Sequence, residues 1–295
     1  MTARGQGLSV SEFDYILPPE LIAQEPMAVR DGARLLHLDR ATGGCAHGHV
    51  TDLAGLLRPG DLLVVNDTKV FPARLLGRRE PSGGRVECFL LERLDEQRWD
   101  VLLHPGQKLK EGGRAVFGEG DHTLHLEVLK RGSWGRRTVT LTAREAVDVD
   151  AVIDAIGHTP LPPYIKRAPD VADRGRYQTI FARARGSVAA PTAGLHFTQS
   201  LERALASRGV DRTEVTLHVG YGTFQPIRGD DVESHVVGAE RFEISTHAAE
   251  AINAALDQGR RIVAVGTTTT RALESAAHTG DGRVLAGGAE TNLYI

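Results

Sequence analysis

The sequence predicts an α/β protein whose larger domain is interrupted by a small antiparallel β-barrel or sandwich. Before residue 74 and after residue 145, apolar runs typical of buried strands alternate with amphipathic runs typical of helices. Between about residues 74 and 142, glycine-rich turns separate short runs in which apolar and polar residues alternate. We therefore assign residues 1–73 and 146–295 to one discontinuous α/β domain and residues 74–145 to an inserted all-β domain.

The composition fits this class and excludes several others. Of 295 residues, 41% are hydrophobic and 25% are charged, and the net charge is −3, which excludes a wholly disordered chain. Two cysteines, Cys45 and Cys88, are too few for a disulfide scaffold. The first ten residues lack the apolar core of a signal peptide, and no apolar run approaches the roughly 20 residues of a membrane helix. We expect a cytoplasmic protein with a loose N-terminal end.

The individual elements follow from apolar periodicity. In the first flank, residues 13–23 predict a short strand and then a helix that begins at Pro19, residues 34–39 a strand, residues 51–57 a short helix and residues 62–65 a buried strand. Strands of the insertion are predicted at residues 85–91, 99–103, 123–128 and 137–142. The second flank predicts helices at residues 148–156, 197–208, 247–258 and 271–277, strands at 213–219 and 290–295, and a buried strand at 261–265.

Standard nucleotide and metal motifs are absent from the sequence. There is no phosphate-binding loop of the kinase type, and Gly220-Tyr221-Gly222 lacks the third glycine of a dinucleotide fingerprint. Cysteine pairs at zinc spacing are absent too, and His47 and His49 fit a surface turn better than a metal site. A kinase and a classical dinucleotide enzyme are therefore disfavoured, and we expect no metal.

Segments that follow predicted strands combine small, polar and aromatic residues, as ligand-binding loops do. The first, residues 186–197, contains Thr192, Gly194, His196 and Phe197; glycine and the free amides of a helix start favour the approach of an anionic group. Alternatively, His196 is a hydrogen-bonding group at a helix end and Phe197 a core residue.

Two further loops carry the same signature. The second segment, residues 218–226, either clamps a flat base or forms a tight turn, and its candidates are His218, Gly220, Tyr221, Gly222, Thr223 and Phe224. The third, residues 264–271, places Gly266, Thr267 and Arg271 beyond a strand end, where α/β sheets bind ligands. Residues 66–74 are a fourth candidate because they lie at the entry to the insertion, where a substrate cleft is frequent.

A basic stretch between residues 166 and 185 could contact nucleic acid. It contains Lys166, Arg167, Arg174, Arg176, Arg183 and Arg185 against only Asp170 and Asp173. On composition alone, a solvated loop with scattered charges is the more frequent explanation.

Taken together and in order, these segments resemble the S-adenosylmethionine:tRNA ribosyltransferase-isomerase family of queuosine biosynthesis. The matching stretches are residues 13–18, 21–24, 60–74, 161–165, 177–179, 186–198, 218–224 and 265–267, with Arg271 and Glu274. The resemblance implies a large α/β domain with an inserted β-barrel. It implies transfer and isomerisation of the ribosyl moiety of S-adenosylmethionine onto 7-aminomethyl-7-deazaguanine at the wobble position of tRNA, with release of adenine and methionine. S-adenosylmethionine is then a substrate, and no cofactor is expected.

The reaction implied by this resemblance needs a base, because the sulfonium acidifies the adjacent C5′ hydrogens, and a proton or hydrogen bond for the departing adenine. His196 and His218 suit these two tasks, in an order that the sequence leaves open, with Asp67 and Glu274 as reserves. Lys69, Arg74 and Arg271 are expected to hold the methionine carboxylate or a phosphate, and Phe197, Tyr221 and Phe224 to stack on a base. The resemblance also favours the basic stretch as a surface for the tRNA anticodon arm.

The alternatives are an inactive RNA-binding relative and a different nucleoside-transfer enzyme of the α/β class. Family members normally continue past the strand equivalent to residues 291–295 with a Pro-Gly-Tyr segment and an Asn-Phe-His-Leu-Pro motif, and neither occurs here. On that pattern the sequence is expected to lack the C-terminal part of the domain. We expect the chain to act as a monomer.

Overall fold

The computed structural model describes residues 8–133, 135–144, 147–224, 227, 229–279 and 281–295. Part of the expected loose end, residues 1–7, lies outside the described residues, as do residues 145–146 at the predicted domain boundary and Gln225 and Pro226 of the second loop.

The first flank forms β1 (Arg34–Leu38), β2 (Cys45–His49), α1 (Leu53–Leu56), β3 (Leu62–Asn66) and β4 (Thr68–Val70). The predicted strands at 34–39 and 62–65 and the helix within 51–57 are confirmed. Residues 13–23 differ from the prediction: they contribute to two short 3-10 helices, Val10–Phe13 and Pro19–Leu21, and form no strand. Proline does begin the second of these helices, as its fixed φ allows. The apolar residues between these helices are exposed, with Ile16 94% exposed, so they do not form the buried face of a sheet.

The insertion is a closed antiparallel barrel. Its strands are β5 (Arg74–Glu80), β6 (Arg85–Arg93), β7 (Arg98–His104), β8 (Arg114–Glu119), β9 (His122–Arg131) and β10 (Arg136–Ala143), in the order β10–β7–β6–β5–β8–β9. Leu75, Phe117, Leu124 and Leu141 are fully buried in its interior. A barrel rather than a sandwich is therefore correct. Strands β5 and β8 were not predicted. Most of their residues are not buried, and this obscures the apolar alternation in the sequence.

The second flank completes the α/β domain. Its elements are α2 (Val149–Ile156), α3 (Asp173–Arg176), β11 (Ala184–Ser187), α4 (Gln199–Ser207), β12 (Asp211–Leu217), β13 (Glu240–Ile244), α5 (Thr246–Asp257), β14 (Ile262–Ala264), α6 (Thr267–Thr279) and β15 (Gly287–Thr291). Three details correct the predictions. The last helix begins at Thr267, four residues before Arg271; β14 is only partly buried; and the last strand ends at Thr291 instead of spanning 290–295.

The central sheet has the order β14–β3–β12–β13–β15, in which β3 runs parallel to β14 and β12 while β13 is antiparallel to β12 and β15. Alternate residues of β3 enter two different cores: Leu62 and Val64 pack with α5 and α6, and Leu63 and Val65 pack with α1 and α4. Because β14 lies at the sheet edge beside β3, its side chains are only half covered. The sheet is thus covered by helices on both faces near β3.

The two chain segments that connect the barrel to the α/β domain lie side by side. The outgoing strand β4 pairs in parallel with the returning strand β11. Next to them, Arg74 and His158 exchange two backbone hydrogen bonds, of 2.8 and 3.2 Å. Polar side chains at this junction are therefore held at fixed positions relative to both domains. No described helix has both the length and the apolar composition needed to span a bilayer.

Candidate active site

A cavity of about 420 Å³ opens beside the first and second loops. Its wall contains three predicted residues, Thr192, Thr223 and Phe224, together with Pro160, Pro162, Pro163, Tyr164, Tyr177, Ala189 and Ala190. The prolines and tyrosines were not predicted as ligand residues, although a rigid Pro-Pro-Tyr run was the signal available for them. Burial raises the pKa of Tyr177, so its phenol stays neutral. Aromatic rings and prolines with two threonines suit a flat, largely apolar group with a few polar edges.

An aromatic cluster fixes the second loop against the barrel. The ring of Phe89 on β6 lies 5.2 Å from that of Tyr221 and 6.4 Å from that of Phe224, both edge-on, and the latter two rings are 6.0 Å apart. Tyr221 packs against the barrel core, whereas Phe224 also faces the cavity. All of the lining residues therefore come from the α/β domain, and the barrel supports one wall from behind through the contact of Phe89 with Phe224.

A second, smaller hollow of about 240 Å³ is polar and contains His218. Its other lining residues are Arg241, Phe242, Glu243, Gly288, Ala289 and Glu290, from β13 and β15. Burial and the nearby Arg241 lower the pKa of His218, while Asp67 and Glu243 oppose this. A neutral imidazole is thus the favoured form at neutral pH.

The two hollows are neighbours. A β-carbon added at Gly186 would lie only 2.6 Å from the His218 ring, so the ring rests directly on this glycine. Ala189 in the cavity wall is three residues further along, a span of at most about 11 Å. The imidazole and one wall of the aromatic cavity therefore lie along the same short stretch of chain, residues 186–189.

Asn66 joins the strand ends beneath this site. Its side-chain oxygen accepts hydrogen bonds from the amides of Thr68 (3.0 Å) and Leu217 (3.1 Å), and its nitrogen donates to the Leu217 carbonyl (2.9 Å) and Thr268 (3.3 Å). One buried amide side chain therefore links β3, β12 and α6 where their ladders end. Asn66 lies in the fourth predicted segment but was not chosen as a functional residue.

A buried ion pair holds the start of the second loop. Arg271 of α6 pairs with Glu240 of β13, and the other carboxylate oxygen of Glu240 accepts from the amide of Gly220 at 2.8 Å. Burial raises the pKa of Glu240 against the opposing effects of Gly220 and Arg271. Arg271 therefore fixes the loop and is not free for a substrate carboxylate. Sequence reasoning missed Glu240 because it lies 20 residues from its nearest partner.

Of the two cationic candidates near the barrel entry, Arg74 is engaged, whereas Lys69 has no ion-pair partner among the residues that the structure describes. Arg74 makes two hydrogen bonds to Glu87, of 2.8 and 2.9 Å, which lower the pKa of that carboxyl. Lys69 is exposed on β4.

Asp67 is buried and accepts hydrogen bonds from Thr216 (2.6 Å) and Arg183 (3.3 Å). Its carboxylate therefore acts on His218 through its charge at a distance.

The first loop forms a 3-10 helix, Thr192–His196, with His196 exposed at its end. Gly194 is buried, and a β-carbon there would approach Thr179 to 2.9 Å. Phe197 is 4% exposed and its ring packs 5.5 Å from that of Phe181, so it lies in the core, the alternative that sequence reasoning left open. The loop therefore presents His196 and Thr192 to solvent and uses Phe197 as its anchor.

The third loop is part of α6. Gly266 has a φ of 85° and lies against Ala193, since a β-carbon there would be 3.0 Å from the alanine β-carbon. Thr269 and Thr270 donate to the carbonyls of Val265 and Gly266, so their hydroxyls are engaged. The residues still presented to solvent are Thr267 and Glu274. Gly222 of the second loop is packed less closely, since an added β-carbon would make only an ordinary contact of 3.7 Å with the nitrogen of Gly238.

The basic stretch carries less free charge than its composition indicates. Arg167 is bound to Asp173 at 2.5 and 2.7 Å, and Arg176 donates to the carbonyls of Met27 and Ala28. The remaining arginines meet acidic residues from other elements: Arg183 meets Asp67 and Glu214, Arg185 meets Asp150 and Asp154, and Arg174 is 3.8 Å from Asp154. Lys166 is exposed and donates to the Pro163 carbonyl. Most of these cations are therefore already paired, and their contact with tRNA stays a prediction. Arg183 and Arg174, with side-chain exposures of 66% and 53%, are the most exposed of the arginines that meet carboxylates.

The described part of the chain contains no cluster of side chains suited to a metal ion. No group of three or more His, Cys, Asp or Glu side chains there is arranged to hold a metal ion.

Comparison with known proteins identifies strong similarity over nearly the whole chain. Residues 10–295 match the family described as queuosine biosynthesis protein. An S-adenosylmethionine:tRNA ribosyltransferase-isomerase of Anaeromyxobacter sp. is 51% identical over 98% of this chain and 82% of its own length. The enzyme of that name from Halothermothrix orenii is 48% identical over 92% of this chain and 77% of its own. The crystal structure of an S-adenosylmethionine tRNA ribosyltransferase from Thermotoga maritima is 35% identical, covers 96% of this chain and 78% of its own, and has a TM-score of 0.45.

The buried pair beneath the second loop makes a stability prediction. Glu240→Ala leaves Arg271 buried without its partner and frees the amide of Gly220, so we expect the free energy of unfolding to fall by about 3–5 kcal/mol. Urea denaturation followed by circular dichroism measures this change. Asp257→Ala, which breaks the exposed pair with Arg283, is the matched control and should leave the midpoint nearly unchanged. Equal effects of the two variants would contradict a structural role for the buried pair.

Proposed function

Because the chain belongs to the S-adenosylmethionine:tRNA ribosyltransferase-isomerase family, we propose that it transfers and isomerises the ribosyl moiety of S-adenosylmethionine onto tRNA. The acceptor is 7-aminomethyl-7-deazaguanine at the wobble position, and the products are epoxyqueuosine-tRNA, adenine and methionine. The observation that carries the proposal is the 51% identity to an enzyme of this name over 98% of the chain.

The aromatic cavity is proposed as the binding site for the adenine end of S-adenosylmethionine. Its volume of about 420 Å³ lies within the roughly 300–1,000 Å³ range of small-molecule sites. Phe224, Tyr164 and Tyr177 offer rings against which a purine can stack, and Thr192 and Thr223 offer hydroxyls for its polar edge. Adenine is the flat, largely apolar part of this substrate, so the cavity suits it in chemical character as well as in size.

The methionine end then needs a partner for its carboxylate other than Arg74 and Arg271, which are both engaged. We assign this role to the amides at the start of α6, which lie against the first loop at Ala193. Lys69 is the exposed cation on β4 near the domain junction and supplies additional positive charge.

His218 and His196 remain the acid–base candidates. His218 lies in the polar hollow within reach of a substrate that extends from the cavity, and His196 is exposed at the end of the turn that contains Thr192. Asp67 contributes through its charge on His218, and Glu274 faces solvent on α6. This arrangement gives the reaction two histidines on separate loops that meet one substrate.

Recognition of the anticodon arm is part of the same proposal, as are a monomeric state and action in the cytoplasm. Lys166 and Arg174 are the proposed phosphate contacts in the basic stretch. Lys166 has no carboxylate partner among the described residues, and Arg174 approaches Asp154 only at 3.8 Å, whereas Arg167, Arg183 and Arg185 each have a carboxylate at 3.3 Å or closer.

The activity is tested by incubating the protein with S-adenosylmethionine and tRNA that carries the aminomethyl base, followed by mass spectrometry of the nucleosides. We expect epoxyqueuosine together with free adenine, and none from tRNA with guanine at that position. His196→Ala and His218→Ala should each lower the turnover by more than about 100-fold. Binding of tRNA without either product would favour the RNA-binding alternative, and wild-type rates in both variants would remove the acid–base assignment.

The cavity assignment is tested separately. Phe224→Ala removes a ring from the proposed adenine site, so we expect KM for S-adenosylmethionine to rise by roughly tenfold or more while KM for tRNA changes little. Leu256→Ala, which truncates an exposed apolar side chain on α5, is the control and should leave both values unchanged. An unchanged KM for S-adenosylmethionine in Phe224→Ala would place the adenine elsewhere.

The tRNA contacts are tested by charge reversal. Lys166→Glu combined with Arg174→Glu should weaken tRNA binding and reduce the slope of log Kd against log salt concentration by about two phosphate contacts. Arg283→Glu is the control, because Arg283 is 53% exposed, is paired with Asp257 and lies far from the basic stretch in sequence. A salt slope that is the same in the double variant as in the wild type would return this stretch to a solvated loop.

A further inference from the structure

A buried chain of hydroxyls ends at His218. Its Nδ1 lies 2.8 Å from Oγ1 of Thr68, and that oxygen lies 2.7 Å from Oγ of Ser187. Both hydroxyl residues are buried, with exposures of 1% for Thr68 and 0% for Ser187. Because buried polar groups must find partners within the protein, the directions of these hydrogen bonds can be worked out from their neighbours.

The proton of Ser187 is assigned first. Its Oγ accepts from the amide of Val219 at 2.7 Å, so this oxygen already has a donor. In the described part of the chain, the other hydrogen bond of this hydroxyl is with Thr68. Ser187 therefore donates to the Thr68 oxygen.

The proton of Thr68 has two possible acceptors. One is Nδ1 of His218 at 2.8 Å, and the other is the carbonyl of Ala184 at 3.4 Å. Hydroxyl donors normally lie 2.5–3.0 Å from their oxygen acceptors, so the longer contact is outside the usual range. Thr68 therefore donates to Nδ1, which must then be unprotonated.

We propose that Thr68 and Ser187 hold His218 as a neutral imidazole with its proton on Nε2, which makes this nitrogen a hydrogen-bond donor to a ligand in the polar hollow. Nδ1 is occupied by a buried hydroxyl, so Nε2 is the ring nitrogen left for a ligand. The fit of the ring over Gly186 keeps it from turning, since the added β-carbon would lie 2.6 Å from Nδ1 and Cε1. Thr68 and Ser187 are positioning residues in this arrangement.

The charges around the ring favour the same state. Arg241, on the neighbouring strand β13, opposes a second positive charge, whereas Asp67, at the end of β3, and Glu243 favour one. Glu290 of β15 lines the same hollow. Burial of the ring adds to the effect of Arg241, and the pKa of His218 is lowered on balance.

The inference deepens the proposed function and, in this part, rests on it. An imidazole with a proton on Nε2 donates a hydrogen bond and cannot take a proton at that atom. His218 is therefore assigned as a hydrogen-bond donor to the part of the substrate that reaches the polar hollow, and the removal of the C5′ proton falls to His196. This division of roles was open at the level of the sequence.

The tautomer is measured on the full chain without substrate. The protein is labelled with ¹⁵N-histidine, and long-range ¹H–¹⁵N correlation spectra are recorded between pH 6 and 8, with His218→Gln used to assign the signals among the 12 histidines. We expect an unprotonated Nδ1 and a protonated Nε2 for His218 at pH 7 and above. A proton on Nδ1, or an imidazolium at pH 7, would overturn the proposal.

Matched variants test the role of the hydroxyls. Thr68→Val removes the donor to Nδ1 and should raise the pKa of His218 by roughly half a unit or more, because the neutral form loses a hydrogen bond. Thr213→Val is the control: its hydroxyl on β12 is buried and has no hydrogen-bond partner among the described residues, so His218 should titrate as in the wild type. Ser187→Ala should shift the pKa in the same direction as Thr68→Val, by a smaller amount.

An unchanged pKa of His218 in Thr68→Val would contradict the role of the hydroxyl chain, even if the enzyme is active. Conversely, the expected spectra in a protein that forms no epoxyqueuosine would support the hydroxyl chain and refute the proposed transferase activity. The two claims can therefore fail separately.

Discussion

The site depends on how one buried amide side chain, that of Asn66, joins the ends of two parallel strands. Where β3 and β12 stop, backbone groups would be left without partners in the interior, which costs free energy comparable to a lost hydrogen bond. Asn66 satisfies the amide and carbonyl of Leu217 and the amide of Thr68, and it reaches Thr268 at the start of α6. The residues on either side of this joint, Thr68 and His218, are thereby brought to hydrogen-bonding distance.

Charge in this protein is mostly paired, and the pairing decides which residues are available for function. Arg74, Arg167 and Arg271 each meet a carboxylate, so they shape the junction, the basic stretch and the second loop respectively. The buried pair of Arg271 and Glu240 is costly to break and contributes little net stability, which fits a role in fixing geometry. The groups that remain available for the chemistry are uncharged: a neutral histidine, hydroxyls, backbone amides and aromatic rings.

Much of the fold could be predicted from sequence because its signals are local. Periodicity located the barrel insertion and most strands of the central sheet, and the glycine-rich loops around His218 and Thr192 were predicted to bind a ligand, which stays a prediction. Long-range partners could not be predicted. Glu240, Ser187 and Tyr177 gain their roles from contacts with residues on other elements, and the carboxylates that neutralise Arg183 and Arg185 lie at least 31 residues away from those arginines in sequence. Counting charges along the chain overstated the cationic surface for the same reason.

The central claim is that one substrate spans the aromatic cavity and the polar hollow and gives up its ribosyl unit to tRNA. It is tested most directly with S-adenosylmethionine labelled with ¹³C in the ribose alone. The account predicts that the labelled carbons appear together in the modified wobble nucleoside while the released adenine and methionine stay unlabelled. Unlabelled tRNA, or label recovered with adenine or methionine, would contradict it.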